Sequence, residues 1–84
     1  MISLEEVRLV DRVKKVIGRG PLFWFIPAEI IRELYYEDGE WRSDSCITAR
    51  IRDLRKPEFG GFTVQARKRS GSRAFEYQLV ANNE

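Results

Sequence analysis

Seven side chains between Ser45 and Lys56 are of types that bind anions and hydrogen-bonding edges: Ser45, Thr48, Ala49, Arg50, Arg52, Arg55 and Lys56. Arginine presents a planar fork of donors that fits phosphate oxygens or the edge of a base. Lysine offers a point charge, and the hydroxyls offer short-range hydrogen bonds. Ala49 belongs with them because a small side chain lets a backbone approach another surface closely. A second cationic group, Arg67, Lys68, Arg69 and Arg73, surrounds Ser70, Gly71 and Ser72. The chemistry available to these groups is binding. With no histidine and one cysteine, His-based triads, the usual Cys/His zinc sites and an intrachain disulfide are excluded by count. Glu29 and Glu33 share a helix face, but carboxylates one turn apart are usually surface charges. No phosphate-cradling glycine motif is present, and the expectation is a protein that is not an enzyme and needs no metal or cofactor.

The first cationic group requires a helix. Ile47, Ile51 and Leu54 fall at i, i+4 and i+7 and make one apolar stripe. At about 100° per residue, the opposite face carries Ser45, Ala49, Arg52 and Lys56. Thr48 and Arg55 lie on one flank, Arg50 and Asp53 on the other. The helix is expected over residues 43–56, capped by Asp44 or Ser45 and stopped by Pro57, with Cys46 half-buried beside the stripe.

The second group requires a hairpin. Phe62, Val64 and Ala66 alternate with Thr63, Gln65 and Arg67, while Phe75, Tyr77 and Leu79 alternate with Glu76 and Gln78. Two strands over residues 62–80 would meet at the Ser-Gly-Ser turn, with the apolar partners facing the helices.

Two earlier helices complete the frame. Over residues 1–18, Ser3 and Glu6 have capping-box spacing and Ile2 and Val7 staple spacing. Leu4, Val7, Val10, Val13 and Ile17 then keep a helical period, with Arg8, Arg12, Lys14 and Lys15 on the wet side. Gly18 and Gly20-Pro21 end this helix. Residues 22–26 are aromatic and β-branched between two prolines, which limits them to a short edge strand or connector. Strand alternation sets Trp24 on the face opposite Phe23 and Phe25, and two of the three are expected in the core. Pro27 opens a second helix over residues 27–37, with Ile30, Ile31 and Leu34 buried and Tyr35 partly so. Residues 37–39 close it, and Trp41 is expected to wedge between helices two and three. Residues 81–84 read as a frayed tail.

The 84 residues form one domain with a single small core. Residues 1–41 hold six Lys/Arg and eight Asp/Glu, a net −2, and residues 42–84 hold nine and five, a net +4. Such asymmetry points to an anionic partner at one end. The longest apolar run, residues 22–26, is far too short to cross a membrane, and no secretory signal is visible. One cysteine suits a reducing compartment, so the expected location is cytoplasmic.

The order helix, short strand, helix, turn, helix, basic-tipped hairpin, with Ile47-Thr-Ala-Arg-Ile-Arg-Asp-Leu-Arg-Lys, then Gly60-Gly-Phe-Thr-Val and Phe75-Glu-Tyr-Gln-Leu, resembles a winged helix-turn-helix domain. It is most similar to the small winged-helix proteins of bacteria and their phages, over about residues 3–80. The resemblance implies an α+β fold of three helices, a short strand after helix one and a C-terminal β-hairpin wing. It also implies double-stranded DNA binding in transcription regulation or a phage accessory role, with helix three in the major groove and the wing on backbone or minor groove. Arg52 is the candidate for guanine, Ser45 and Thr48 for bases or phosphates, and Arg50, Arg55 and Lys56 for phosphates. The connection at residues 37–42 is longer and more acidic than the tight turn of the simplest such units. The alternative is an adaptor or host-factor-binding module without DNA binding, meeting a protein partner through Phe23, Trp24 and Phe25 or the acidic loop of residues 36–41; a homodimer, usual for operator binding, would form through helix one or residues 23–25.

Overall fold

The computed structural model describes residues 4–20 and 23–80, and within these the side chains of residues 4–7 are not described. The chain folds as α1 (Leu4–Ile17), α2 (Pro27–Asp38), α3 (Asp44–Leu54), a single 3₁₀ turn (Pro57–Phe59), β1 (Thr63–Lys68) and β2 (Phe75–Val80). Three helices followed by an antiparallel hairpin make an α+β layout consistent with a winged helix-turn-helix. The capping box and staple expected at residues 2–7, and the tail at 81–84, lie outside the described residues and side chains.

The helical stripes meet in one core. Val10, Val13, Val16 and Ile17 of α1, Ile30, Ile31 and Leu34 of α2, and Ile47, Ile51 and Leu54 of α3 are all buried, together with Val64 of β1. A fully buried side chain of this size contributes about 1.5–3 kcal/mol relative to exposure. Val16 joins the core beside Ile17, which widens the stripe of α1 beyond the period expected from the sequence.

Each helix end has a local cause. Glu29 Oε1 accepts the Ile26 backbone N–H over 2.9 Å, so a residue of the first turn closes the start of α2. Gly39 ends it in the left-handed conformation, with φ 71°, and donates its N–H to Tyr35 O over 2.7 Å. Helix α3 is capped by Ser43, not by Asp44 or Ser45: the Ser43 hydroxyl accepts the Cys46 N–H over 3.2 Å. Its last helical residue is Leu54, before Pro57, because the chain must turn there for Phe62 N–H to reach Leu54 O at 2.8 Å.

Strand pairing runs from Thr63 opposite Val80 to Lys68 opposite Phe75. The expected strand at residues 22–26 is reduced, among the described residues, to one antiparallel bridge between Phe25 and Tyr77. Phe25 N–H donates to Tyr77 O at 3.0 Å and Tyr77 N–H returns to Phe25 O at 2.8 Å. Pro27 follows two residues later and has no N–H to extend the ladder. Phe23 and Phe25 stack with centroids 6.4 Å apart. Phe25 packs against the core, Trp24 is half-buried, and Phe23 remains 52% exposed.

Two expectations fail in informative ways. Trp41 does not wedge between helices: it is 71% exposed and meets Tyr35 edge to face, at 5.9 Å between centroids. The connection is held instead by ion pairs. Asp38 accepts Arg12 Nη1 at 2.6 Å and Arg42 Nη2 at 2.7 Å, while Glu37 accepts Arg12 Nη2 at 2.7 Å. These bonds tie α1, the end of α2 and the start of the connection together. In the hairpin, Val64, Tyr77 and Leu79 face the helices, but Ala66 and Phe75 are exposed because the strands run past the helical core toward their tip.

Candidate nucleic-acid interface

The outward face of α3 forms as its period requires. Ser45 and Arg52 are exposed, as is Lys56 just beyond the helix, and Ala49 and Thr48 are half-buried. Ser45 Oγ lies 3.2 Å from Ser43 Oγ. The Thr48 hydroxyl donates back along the helix to Asp44 O at 3.0 Å and Ser45 O at 3.3 Å, so its lone pairs are what it has left for a partner. The Arg52 side chain makes no hydrogen bond or ion pair with any described residue.

The flanking cations are engaged within the fold. Arg50 Nε donates to Asp53 Oδ2 at 2.9 Å and Lys56 Nζ lies 3.1 Å from Asp53 Oδ1. Asp53 is buried on the edge of the core stripe, and the two cations compensate its charge there. Arg55 Nη2 donates to Val64 O at 2.8 Å and so fastens β1 to the end of α3.

The wing divides in the same way. Its turn is built by Gly71 at φ 75° and by Ala74 N–H donating to the Ser72 hydroxyl at 3.0 Å. Lys68 and Arg73 are exposed and their side chains have no partner among the described residues. Arg67, though exposed, and Arg69 are engaged by partners within the fold. Arg67 Nε donates to Glu76 Oε2 at 2.6 Å and its guanidinium lies 3.8 Å from the centre of the Trp24 ring. Arg69 donates Nε to Glu76 Oε1 at 2.7 Å, Nη2 to Glu29 Oε1 at 2.9 Å and to Trp24 O at 3.2 Å, and Nη1 to Glu29 Oε2 at 3.1 Å.

These bonds set the local electrostatics. The Arg69 guanidinium, followed by that of Arg67, holds the Glu76 carboxyl below the usual carboxylate range. Arg69 does the same for Glu29, helped by the Ile26 N–H, and its own guanidinium is pushed further up by the two carboxylates. Arg42 first, and Arg12 second, depress the Asp38 carboxyl strongly.

The two expected cationic groups therefore resolve into two kinds of residue. Arg52, Lys68 and Arg73 present unengaged side chains to solvent; Ser45 is exposed with its hydroxyl bonded to Ser43, and Lys56 is exposed with one ion pair; Arg50 pairs with Asp53 within α3, and Arg55, Arg67 and Arg69 hold elements together. Of these roles, the Arg67–Glu76 pair had a partial signal, since a hairpin turning near Gly71 brings Arg67 close to residues 75 and 76, and the observed register sets it opposite Glu76. The reach of Arg69 to Glu29 had no such signal. Glu29 and Glu33, read as surface carboxylates, bond Arg69 and Arg19. Among the described residues no group of three His, Cys, Asp or Glu side chains gathers as a metal would need, and no helix is long and apolar enough to cross a membrane. Comparison with models of known families, with curated proteins and with solved structures finds no match to this chain.

Proposed function

We propose that this chain binds double-stranded DNA in the cytoplasm of a bacterium or in phage development, as a transcription regulator or accessory DNA-binding protein, with no catalytic step of its own. The observation that carries the reading is the pairing of an unengaged Arg52 on the outer face of α3 with unengaged Lys68 and Arg73 at the wing tip. In this reading α3 enters the major groove, Arg52 takes a guanine through two hydrogen bonds, and the wing cations meet phosphates of the backbone or the adjacent minor groove. Ser45, Ala49 and Thr48 line the close approach of the helix. The fastened arginines act one step back, by fixing the wing against α2 and α3.

Titration of labelled duplex DNA tests this. Amide resonances of residues 45–56 and 67–73 should shift together while those of α1 stay nearly still. With about five phosphate contacts, affinity should fall on the order of 500-fold between 50 and 200 mM salt. No DNA-dependent shift at about 100 μM duplex in low salt overturns the reading. A protein-binding role without DNA has its own supporting observation, the exposure of Phe23 at 52%, Tyr36 at 74% and Trp41 at 71%, and it would be favoured by that outcome.

A further inference from the structure

We propose that the chain associates head to tail with a second copy of itself, an aromatic, acid-rimmed shelf at the end of α2 receiving the cationic tip of the partner's wing. The inference does not depend on the DNA reading.

The shelf is an exposed aromatic cluster. Tyr36 and Trp41 are 74% and 71% exposed, Tyr35 is 44% exposed, and the Tyr35 ring lies 5.9 Å from Trp41 and 6.5 Å from Tyr36. Large apolar rings grouped on a surface mark contact sites. Its rim is acidic: Glu37 and Glu40 precede Trp41 in the chain and Asp44 follows it. Glu37 is used by Arg12 through one oxygen, and Glu40 stands 3.6 Å from Arg42 with its side chain 75% exposed, so both keep acceptor capacity. The Asp44 carboxylate has no partner among the described residues.

The wing tip carries the complement. Phe75 is 53% exposed and stands directly opposite Lys68 in the hairpin. Lys68 and Arg73 beside it have no partner among the described residues. One patch is therefore an apolar centre with an acidic rim, and the other is an apolar ring between two cations. Face-on contact pairs ring with ring, carboxylate with ammonium and guanidinium, and cation with aromatic face.

One chain cannot make this contact within itself. The wing is tied by Arg69 to Glu29, in the first turn of α2, whereas the shelf sits at the other end of that helix. A helix of this length spans about 17 Å. DNA is a poor occupant of the shelf, since its phosphates would meet three carboxylates. A second copy brings the matching charge by construction. The two surfaces differ, so the contact is heterologous and leaves one patch of each kind open at the ends. Patches of a few side chains belong with weak contacts.

Sedimentation velocity of the full chain without DNA, from about 20 μM to 1 mM in low salt, tests the proposal. The weight-average mass should rise above the monomer with concentration and return to it in about 0.5 M salt. Two variants then identify the surfaces: Trp41→Ala with Glu40→Lys removes the shelf, and Lys68→Glu with Arg73→Glu removes the tip. All four positions are on the surface, and matching thermal melts confirm that both variants fold. Each variant alone should stay monomeric. Mixed, they should form a one-to-one complex that grows no further, because only one intact shelf and one intact tip remain. A monomer at every concentration overturns the proposal, as does association that survives either variant or a mixture that stays monomeric. Because no DNA is present, any of these results leaves the DNA reading standing.

Discussion

Arg69 and Glu29, forty positions apart in the chain, are joined by two hydrogen bonds, at 2.9 and 3.1 Å, that fix the turn end of the wing to the first turn of α2. The same guanidinium bonds Glu76 at 2.7 Å, and Glu76 is only 6% exposed. Removing the cation leaves a buried carboxylate with Arg67 alone. Arg69→Ala should lower the melting temperature clearly, and Arg69→Lys should recover only part of the loss, since an ammonium cannot span two carboxylates as a fork does. Arg73→Ala, at an unengaged neighbour in the same turn, should leave the melt unchanged. Equal melts for the Arg69 and Arg73 variants would show that the network contributes nothing to the fold.

Ile51 is 1% exposed at the centre of the α3 stripe. Ile51→Ala should cost about 2–5 kcal/mol in a denaturant melt, a large part of the stability of so small a domain. A midpoint that barely moves would contradict the placement of this face against the core.

Arg52 and the wing cations should fail differently on DNA. Arg52→Ala should relax discrimination at one base position by roughly 1–3 kcal/mol. Replacing Lys68 and Arg73 with Ala should weaken binding to every sequence, and each lost phosphate contact should lower the magnitude of the salt slope by about one. Equal losses on specific and random duplexes for Arg52→Ala would make Arg52 a phosphate contact.

Acid should loosen the protein through three carboxylates. Asp38, Glu29 and Glu76 each titrate lower in the folded chain than in the unfolded one, because arginine donors favour their charged forms. The folded state then binds fewer protons in the acid range. Their contribution is complete above the unfolded carboxylate values, about pH 4, and is lost as pH falls through the lower folded values. Stability should be level from about pH 5 to 7 with respect to these groups and should decline below about pH 4. Asp38→Asn should lower the melting temperature at pH 7 and bring the variant's curve together with that of the unaltered chain in strong acid. Parallel curves over the whole range would show that Asp38 is not linked to folding.

The sequence by itself determined what depends on local period and local stereochemistry. The stripe of Ile47, Ile51 and Leu54 set the buried face of α3, and with it the outward position of Ser45 and Arg52. Gly39 and Pro27 marked the ends of α2, and the alternation around Gly71 marked the hairpin. Ser43 took the cap from Asp44 and Ser45 because three polar residues in a row can each serve, and only the path of the incoming chain chooses. What the tertiary structure alone decided is which cations are free. In the sequence Arg67, Lys68, Arg69 and Arg73 are equivalent members of one basic turn. In the fold Arg69 meets Glu29 and Arg67 meets Trp24, because residues 23–25 run beside β2 and lead directly into the first turn of α2. The same holds for the connection, where Arg12 and Arg42 converge on Asp38 and Trp41 is exposed. Such partners come from different elements, and no periodicity within one element encodes the distance to a side chain on another.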